Sequence, residues 1–199
     1  IFLNDKKVGQ HTGGYTPFTL DITDFLIDKN ILTVLVTDNL NEKILPYGKQ
    51  KYKRGGMWYT PVSGIWQSVW IESVPKDYVK DLRVDVTLDT AIIDFSGIDN
   101  GEVLLDDKKY PIKDGKAVIK LDNPINWSPE NPYIYEYTAV CGEDKITSYF
   151  GMRKFSTGKD KNGILRFFMN NKPFFFNGVL DQGYWPESLM TASTEEALK

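Results

Sequence analysis

Residues suited to ligand binding lie close together near the C-terminal end of the sequence, in the polar and aromatic run Asp181–Trp185. The carboxylate of Asp181 can accept hydrogen bonds from the hydroxyl groups of a sugar. Tyr184 and Trp185 offer flat apolar faces for the C–H surface of a pyranose ring. Since sugar sites combine polar and aromatic side chains, we predict that Asp181, Gln182, Tyr184 and Trp185 contact substrate. The alternative is that the two rings pack beneath their own loop.

A second set of candidates lies in a long loop over residues 39–64, which is rich in Gly and Pro. Loops of this length in compact domains are usually functional or disordered, and the aromatic residues in this one argue against disorder. The loop is therefore predicted to be ordered and functional, with Trp58 and Tyr59 as its candidate residues. Equally open is the interpretation that both rings only pin the loop to its own core.

Composition removes several classes of function. Cys141 is the only cysteine and His11 the only histidine, so an intramolecular disulfide and a Cys/His zinc site are both excluded. The net charge is −3 with both signs interspersed, which argues against nucleic acid as a partner. No apolar run reaches the roughly 18 residues that span a bilayer, so no membrane partner is predicted. No metal or cofactor is predicted. The sequence does not determine whether the protein forms a homo-oligomer, nor in which cellular compartment it acts, although the cytoplasm is slightly favoured.

The elements that must hold these residues in place are mostly predicted strands. Asn4-Asp5 is predicted to form the tight turn of a hairpin. The period-2 alternation over Ile31–Val36 predicts a half-buried strand, and Trp66–Val74, apolar on both faces, predicts a strand covered on both sides. At 199 residues two domains are expected, and the composition of Val74–Asp77 is typical of a linker between them.

After this linker, short strands punctuated by Asp- and Gly-rich turns over Tyr78–Phe155 predict a small antiparallel sandwich of immunoglobulin type. The final part changes character. Three consecutive phenylalanines within Pro173–Val179 indicate a strand buried on both faces, and Ser193–Glu196 has the pattern of a capping box at a helix start. A buried strand followed by a capped helix is how a βα barrel begins.

Five segments, taken in order, resemble the glycoside hydrolases of family 2, the group of the β-galactosidases and β-glucuronidases. The segments are Phe2–Gly9 with His11–Phe18, Asp21–Val34, Ser63–Trp70, Trp127–Tyr133 with Phe150–Arg153, and Asn170–Val179. Each motif alone is common, whereas five in the family's order cover nearly all of the chain.

The resemblance implies a mainly β chain in three parts: residues 1–75 as the C-terminal part of a sugar-binding jelly roll, 76–156 as an immunoglobulin-like β-sandwich, and 157–199 as the first βα unit of a truncated (β/α)8 barrel. It also implies a parent enzyme, a retaining β-glycosidase that hydrolyses terminal β-glycosidic bonds of a galactoside or related sugar. The family's two catalytic glutamates lie on later barrel strands, beyond Lys199, so no catalytic residue is predicted here. A carbohydrate is the expected partner. The resemblance also places the loop of Trp58 and Tyr59 over the mouth of the barrel, where both residues are expected to contact substrate.

Retaining hydrolysis needs two carboxyl groups about 5–5.5 Å apart. Asp181 and Glu187 are the nearest local candidates, and nothing in the sequence indicates that they converge. Many β-galactosidases follow a Gly-Val dipeptide with a His- and Glu-rich stretch, whereas no histidine follows Gly178-Val179 here, so the identity of the sugar is left open. Two other classes remain as alternatives: a non-catalytic carbohydrate-binding β-sandwich module and a structural adhesin.

Overall fold

Short strands, most of them with one buried face, account for nearly all of the regular secondary structure. The computed structural model describes residues 1–39, 48–183, 185 and 187–199. Within those residues the strands, in chain order, are β1 (Phe2–Leu3), β2 (Lys6–Lys7), β3 (Leu32–Thr33), β4 (Asp81–Val86), β5 (Thr90–Ser96), β6 (Gly101–Leu105), β7 (Lys108–Ile112), β8 (Lys116–Lys120), β9 (Tyr135–Cys141), β10 (Asp144–Phe150), β11 (Phe155–Lys159), β12 (Leu165–Met169) and β13 (Lys172–Pro173). The helical elements of the same residues are two single 3-10 turns, Thr23–Phe25 and Glu196–Leu198. The chain is therefore mainly β, as predicted, with almost no helix.

The chain divides into two compact units. Unit 1 comprises Ile1–Trp70 together with Asp181–Lys199, and unit 2 comprises Ile71–Leu180. The domain boundaries predicted at residues 75 and 156 stay predictions.

The larger part of unit 2 is a sandwich of two antiparallel sheets. One sheet has the strand order β4-β5-β8 and the other has the order β10-β9-β6-β7. Side chains from both sheets form one apolar core, whose buried members are Ala91, Ile93, Phe95, Val103, Leu105, Ile112, Ala117, Ile119, Tyr137, Ala139, Cys141, Phe150 and Met152. This arrangement confirms the β-sandwich that the short, turn-punctuated strands predict.

The sandwich forms because its strands alternate buried and partly exposed residues with the period of the pleat. In β5, Ala91, Ile93 and Phe95 are buried, and the residues between them are only half-buried. Antiparallel pairing places Ile93 opposite Ala117 and Ala91 opposite Ile119, so that a large side chain faces a small one. Burying a large apolar side chain contributes roughly 1.5–3 kcal/mol, which makes this core the main source of stability in unit 2.

A third antiparallel sheet of unit 2 has the order β11-β12-β13. Asn170-Asn171 joins β12 to β13, and the positive φ angles of its two residues (50° and 63°) are those of a tight hairpin turn. The predicted strand Pro173–Val179 is wrong beyond Pro173, because residues 174–179 belong to no strand of the described structure. Phe175 and Val179 are 78% and 95% exposed instead of being buried on both faces.

Unit 1 contains a small antiparallel sheet with the order β2-β1-β3. Asn4-Asp5 joins β1 to β2 as predicted, and both residues have positive φ (50° and 63°). The Asn4 side chain also ties this turn to later residues. Its Nδ2 donates to the Phe25 carbonyl (3.1 Å) and to Asn30 Oδ1 (2.9 Å), and its Oδ1 accepts from the amide of Ile31 (2.9 Å).

Two predicted strands lying in residues 31–36 and 66–74, all of which the structure describes, are largely wrong. The first is paired only over Leu32–Thr33. The second has no strand at all, and Val69 and Trp70 are 60% and 70% exposed. A strand depends on the ladder that satisfies its backbone groups, and no neighbouring segment of the described residues supplies that ladder to residues 66–74. Apolar composition alone therefore does not produce a strand there.

The predicted helix near the C-terminal end is a single 3-10 turn over Glu196–Leu198. In place of the predicted Ser193 capping box, the Thr194 hydroxyl accepts a hydrogen bond from the amide of Ala197 (3.2 Å). A turn that buries no side chain lacks the packing that would extend it into an α-helix. The βα unit predicted for 157–199 is therefore not present among the described residues of that range.

Candidate functional site

Two of the predicted substrate-binding residues meet in unit 1. Tyr59 Oη donates a hydrogen bond to Gln182 Oε1 at 3.2 Å, although the two residues are 123 positions apart in the sequence. The same Gln182 oxygen accepts a second hydrogen bond from Lys49 Nζ at 3.1 Å. One loop candidate and one C-terminal candidate are therefore in direct contact.

The loop that carries Lys49 and Tyr59 is held by its own backbone. The amide of Tyr59 donates to the Lys49 carbonyl at 2.7 Å, which sets these two side chains beside each other. Between them the chain turns at Gly55 and Gly56, whose φ angles of 143° and 57° lie in a region that favours glycine. Gln50 is buried and its Oε1 accepts from the amide of Val62 at 2.8 Å, which anchors the base of the loop.

Gln182 is positioned by a short polar turn. The carboxylate oxygen Oδ1 of Asp181 accepts a hydrogen bond from the amide of Gly183 at 3.0 Å, the pattern of an Asx turn. Asp181 is exposed, and its oxygen is engaged with the backbone of its own turn. In this structure Asp181 therefore orients Gln182, and its own contact with a sugar stays a prediction.

A cavity of about 280 Å³ lies at this hydrogen-bonded cluster. Its lining residues are Lys49, Tyr59, Gln182, Gly183 and Met190. Nitrogen donors and a phenol surround the space, and the Met190 side chain supplies an apolar surface. A polar lining with one apolar patch suits a hydroxylated ring, and the described lining residues include no carboxylate that could act as a general acid or base.

The other predicted residues do not line this cavity. Trp58 is half-buried, and the ammonium group of Lys51 lies 3.7 Å from the centroid of its ring, so that one face of the indole is covered by a cation. Trp185 is also half-buried, and its backbone exchanges two hydrogen bonds of 2.9 Å with Leu189. Tyr184 lies outside the described residues.

Lys49 was missed by the sequence analysis. The signal that could have found it is the basic segment Lys49–Arg54, which has four cationic residues in six positions. The overall balance of charge hides this segment, because the chain as a whole carries a net charge of −3.

A second, larger depression, of about 550 Å³, lies in unit 2 and contains none of the predicted site residues. It is lined by Asp89, Lys120, Leu121, Asp122, Asn123, Pro124 and Asn126. Hydrogen bonds from the hydroxyls of Thr87 and Thr90 lower the pKa of Asp89 and hold the turn between β4 and β5. Asp89 therefore has a structural role in this turn.

The described residues contain neither a cluster of metal ligands nor a membrane-spanning helix. Those residues contain no group of three or more His, Cys, Asp or Glu side chains that could hold a metal ion. Nor do they include a helix long and apolar enough to cross a membrane. The ring of His11 stacks on Phe18 with 4.5 Å between ring centroids and contacts Thr16, which gives this histidine a structural role.

Comparison with known proteins finds similarity to one family of glycoside hydrolases. Residues 70–153 match the description "Glycosyl hydrolases family 2". Over 90% of its length the chain is 26% identical to a β-galactosidase of Thermoanaerobacter pseudethanolicus and 28% identical to a β-glucuronidase of Rattus norvegicus. It spans 27% and 33% of the lengths of those two relatives.

A solved structure shows a similar fold. A β-glucuronidase from Ruminococcus gnavus, solved in complex with a C6-substituted uronic isofagomine, is similar over 89% of this chain and 34% of its own chain, with a TM-score of 0.64 and 20% sequence identity.

Proposed function

We propose, from the premise that this chain is related to the glycosyl hydrolases of family 2, that it is the non-catalytic part of a β-glycosidase and contributes to the binding of its sugar substrate. The parent enzyme would hydrolyse terminal β-glycosidic bonds with retention of configuration. Its two catalytic carboxyl groups would come from outside these residues. Unit 2 would serve as scaffold, and unit 1 would supply the substrate contacts.

The hydrogen bond between Tyr59 and Gln182 carries this proposal. Both residues are predicted from the sequence to contact substrate, and they meet at a cavity although 123 positions separate them. A site assembled from two distant segments depends on the fold and does not arise from local sequence. Its mixture of donors, one phenol and one thioether matches what a sugar presents, which is many hydroxyl groups around an apolar ring face.

The finer domain scheme is part of the same proposal. Residues 1–75 would belong to a sugar-binding jelly roll, 76–156 to an immunoglobulin-like sandwich, and 157–199 to the start of a barrel. The exposure of Phe175, Phe176 and Val179 supports the last assignment, because apolar side chains that are 50–95% exposed would gain stability from burial in a larger sheet.

A hydrolysis assay tests the absence of catalytic groups. The purified 199-residue chain is incubated with aryl β-galactoside, β-glucuronide and β-mannoside, and no turnover above a mock preparation is expected. A positioned acid or base alone is worth about 10²–10⁴ in rate, so a complete catalytic pair in this chain would be easily detected. Turnover of any of the three substrates would contradict the proposal.

A substitution in the parent enzyme tests the substrate contacts. Asp181→Ala should lower kcat/KM at least tenfold, about 1.4 kcal/mol, because it releases the turn that holds Gln182 and removes a candidate sugar ligand. Glu187→Ala is the matched control, since Glu187 is an exposed carboxylate near the same turn. Equal activity of the two variants, or a loss that follows the melting temperature, would make Asp181 a structural residue only.

A further inference from the structure

Three Asn-Gly dipeptides occur in the sequence, at Asn100-Gly101, Asn162-Gly163 and Asn177-Gly178. Because glycine has no Cβ, its backbone nitrogen is unhindered and can approach the side-chain carbonyl of the preceding asparagine. Attack by this nitrogen releases ammonia, provided that the backbone is free to bring the two atoms together and that the amide is not engaged elsewhere. The fold restrains two of these dipeptides and leaves the third free.

The backbone at Asn100-Gly101 is fixed by the sandwich. Gly101 is the first residue of β6, where it pairs with Ile112 of β7. A Cβ built on Gly101 would lie only 2.5 Å from the carbonyl oxygen of Val140, so strand β9 packs directly against this glycine. Ring closure would require this peptide to rotate out of the sheet, which happens only after local opening of the paired strands.

At Asn162-Gly163 the nitrogen that would react is occupied. The amide of Gly163 donates to the carbonyl of Asp160 at 2.9 Å, in the turn between β11 and β12. The amides of Asn162 and Ile164 donate to Asp160 Oδ1 at 2.8 and 3.0 Å. The turn is therefore closed around Asp160, and the Gly163 amide must leave its acceptor before it can react.

Asn177-Gly178 has neither restraint. Both residues are exposed and belong to no strand. Within the described part of the chain, neither the Gly178 amide nor the Asn177 side chain has a hydrogen-bond partner, and a Cβ built on Gly178 meets no atom within 4 Å. The ring of Phe176 packs on those of Phe155 and Phe174, with 6.0 and 5.0 Å between centroids. The unrestrained segment therefore begins at the asparagine itself.

We propose that Asn177 is a site of spontaneous deamidation, with water as the co-reactant and no enzyme required. The amide of Gly178 loses its proton to hydroxide, and the nitrogen attacks Cγ of Asn177. A bond forms between this nitrogen and Cγ while the bond from Cγ to Nδ2 breaks, and Nδ2 leaves as ammonia with a proton taken from water. Water then opens the cyclic imide at either of its carbonyls, which gives aspartate or isoaspartate and releases the acid proton to solvent.

The product differs from the original chain in its charge and in its backbone. Either form adds one carboxylate to a chain whose net charge is −3, within residues 173–180, which otherwise carry no charged side chain. Isoaspartate also carries the main chain through its side-chain carbon, which lengthens the backbone by one methylene. Since Phe175 and Val179 are apolar and largely exposed, the new charge opposes their burial in any larger sheet.

Peptide mapping by mass spectrometry tests this selection on the whole 199-residue chain. The folded protein is incubated at mildly alkaline pH, and conversion of the three asparagines is followed over time. We expect Asn177 to convert at least about tenfold faster than Asn100 and Asn162, because a paired or hydrogen-bonded amide reacts only after local opening. In denaturant, where the fold protects none of the three glycines, the rates should become similar.

Two variants assign the selection to the structure. Gly178→Ala should slow the conversion of Asn177 by about tenfold, because the added Cβ hinders ring closure. Alanine fits this position without strain, since Gly178 has no positive φ and open space surrounds it. Asp160→Ala removes the side-chain acceptor of the turn at Asn162 and should speed the conversion of Asn162 while leaving the rate at Asn177 unchanged.

Several results would overturn the proposal. In the folded chain, conversion of Asn177 no faster than that of Asn100 and Asn162 would remove the site. The same ranking of rates in denaturant would assign the selection to local sequence instead of the fold. An unchanged rate in Gly178→Ala, or a product with aspartate but no isoaspartate, would exclude ring closure by Gly178. An unchanged rate at Asn162 in Asp160→Ala would show that hydrogen bonding in the turn does not protect that site.

Discussion

Unit 1 and the sandwich of unit 2 are stabilised in different ways. The sandwich is organised around a continuous apolar core, to which strands of both sheets contribute. Among the described residues of unit 1, Leu3 is the fully buried apolar side chain, and Gln50 is a buried polar one. Unit 1 is instead held together by hydrogen bonds between side chains and distant backbone groups, such as those of Asn4 with Phe25 and Ile31.

This difference shows where the chain can carry a site. A dense core holds its strands in one arrangement and places few polar groups near each other. A unit held by individual hydrogen bonds leaves loops free to bring distant polar side chains together, as Lys49, Tyr59 and Gln182 show. Local stability is expected to be lower in unit 1, which is common for ligand-binding segments.

The largest effect is expected in the core of the sandwich. Ile119→Ala removes a fully buried side chain of β8 and should lower the free energy of unfolding by about 2–5 kcal/mol, through lost burial and the cavity that remains. Val118→Ala, at the preceding position of the same strand, changes a side chain that is 54% exposed and should lower the free energy of unfolding by less than about 1 kcal/mol. Denaturant unfolding of the full chain measures both. Equal losses of unfolding free energy in the two variants would mean that the core does not control the stability of unit 2.

The next effect is expected at the hairpin of unit 1. Asn4→Ala removes three side-chain hydrogen bonds and places alanine at a positive φ, which should lower local stability by about 1–3 kcal/mol. Asn4→Gly keeps the turn geometry without the side chain, so the difference between the two variants isolates the backbone strain. Hydrogen exchange at the amide of Ile31 reports the change. Faster exchange that spreads to the core strands of unit 2 would erase the distinction between the units.

Tyr137→Phe is expected to change the free energy of unfolding very little. Tyr137 is fully buried in the sandwich, and its hydroxyl has no hydrogen-bond partner within the described structure. Burial raises the pKa of Tyr137, and the side chain of Ser148 offsets only part of this increase. Removing an unsatisfied buried hydroxyl should leave the free energy of unfolding unchanged or raise it by up to about 1 kcal/mol.

Tyr135→Phe is the control for this substitution. The hydroxyl of Tyr135 accepts a hydrogen bond from the amide of Ile125 at 2.7 Å, so its removal should cost roughly 0.5–1.5 kcal/mol. Thermal unfolding of both variants measures the contrast. A larger loss from Tyr137→Phe than from Tyr135→Phe would mean that the core of the sandwich depends on a polar contact of Tyr137.

The smallest effect concerns a polar turn of unit 2 and depends on pH. The amide of Ile164 lowers the pKa of Asp160, with further help from Arg166 and the amide of Asn162. Because the pKa of Asp160 is lower in the folded state, its ionised carboxylate stabilises the fold. This stabilisation is complete at pH values above the ordinary pKa of 3.8, and it is lost as the pH falls through the lower pKa of the folded state.

Asp160→Asn should remove this pH dependence from the turn between β11 and β12. The chemical shift of the Ile164 amide, followed by NMR during acidification, should titrate in the wild type and stay flat in the variant. A titration that persists in Asp160→Asn would assign the effect to another carboxylate.

Much of the fold could be predicted from local patterns. The alternation of buried residues such as Ile93 and Ile119 predicts the sandwich, because the period of the pleat is a property of the backbone itself. The predicted turn at Asn4-Asp5 was also correct, since Asn and Asp tolerate positive φ. The predicted strand over Trp66–Val74 was wrong, because a strand forms only where a neighbouring strand pairs with its backbone, and a local pattern cannot show whether such a neighbour exists.

The site divides in the same way. Gln182 was predicted as a sugar contact from a polar and aromatic run of sequence, and Tyr59 from the family resemblance; both contacts stay predictions. That these two side chains share a hydrogen bond, and that Lys49 joins them, was decided only by the tertiary structure. A contact between residues 123 or 133 positions apart depends on how the whole of unit 1 folds, which no window of sequence contains.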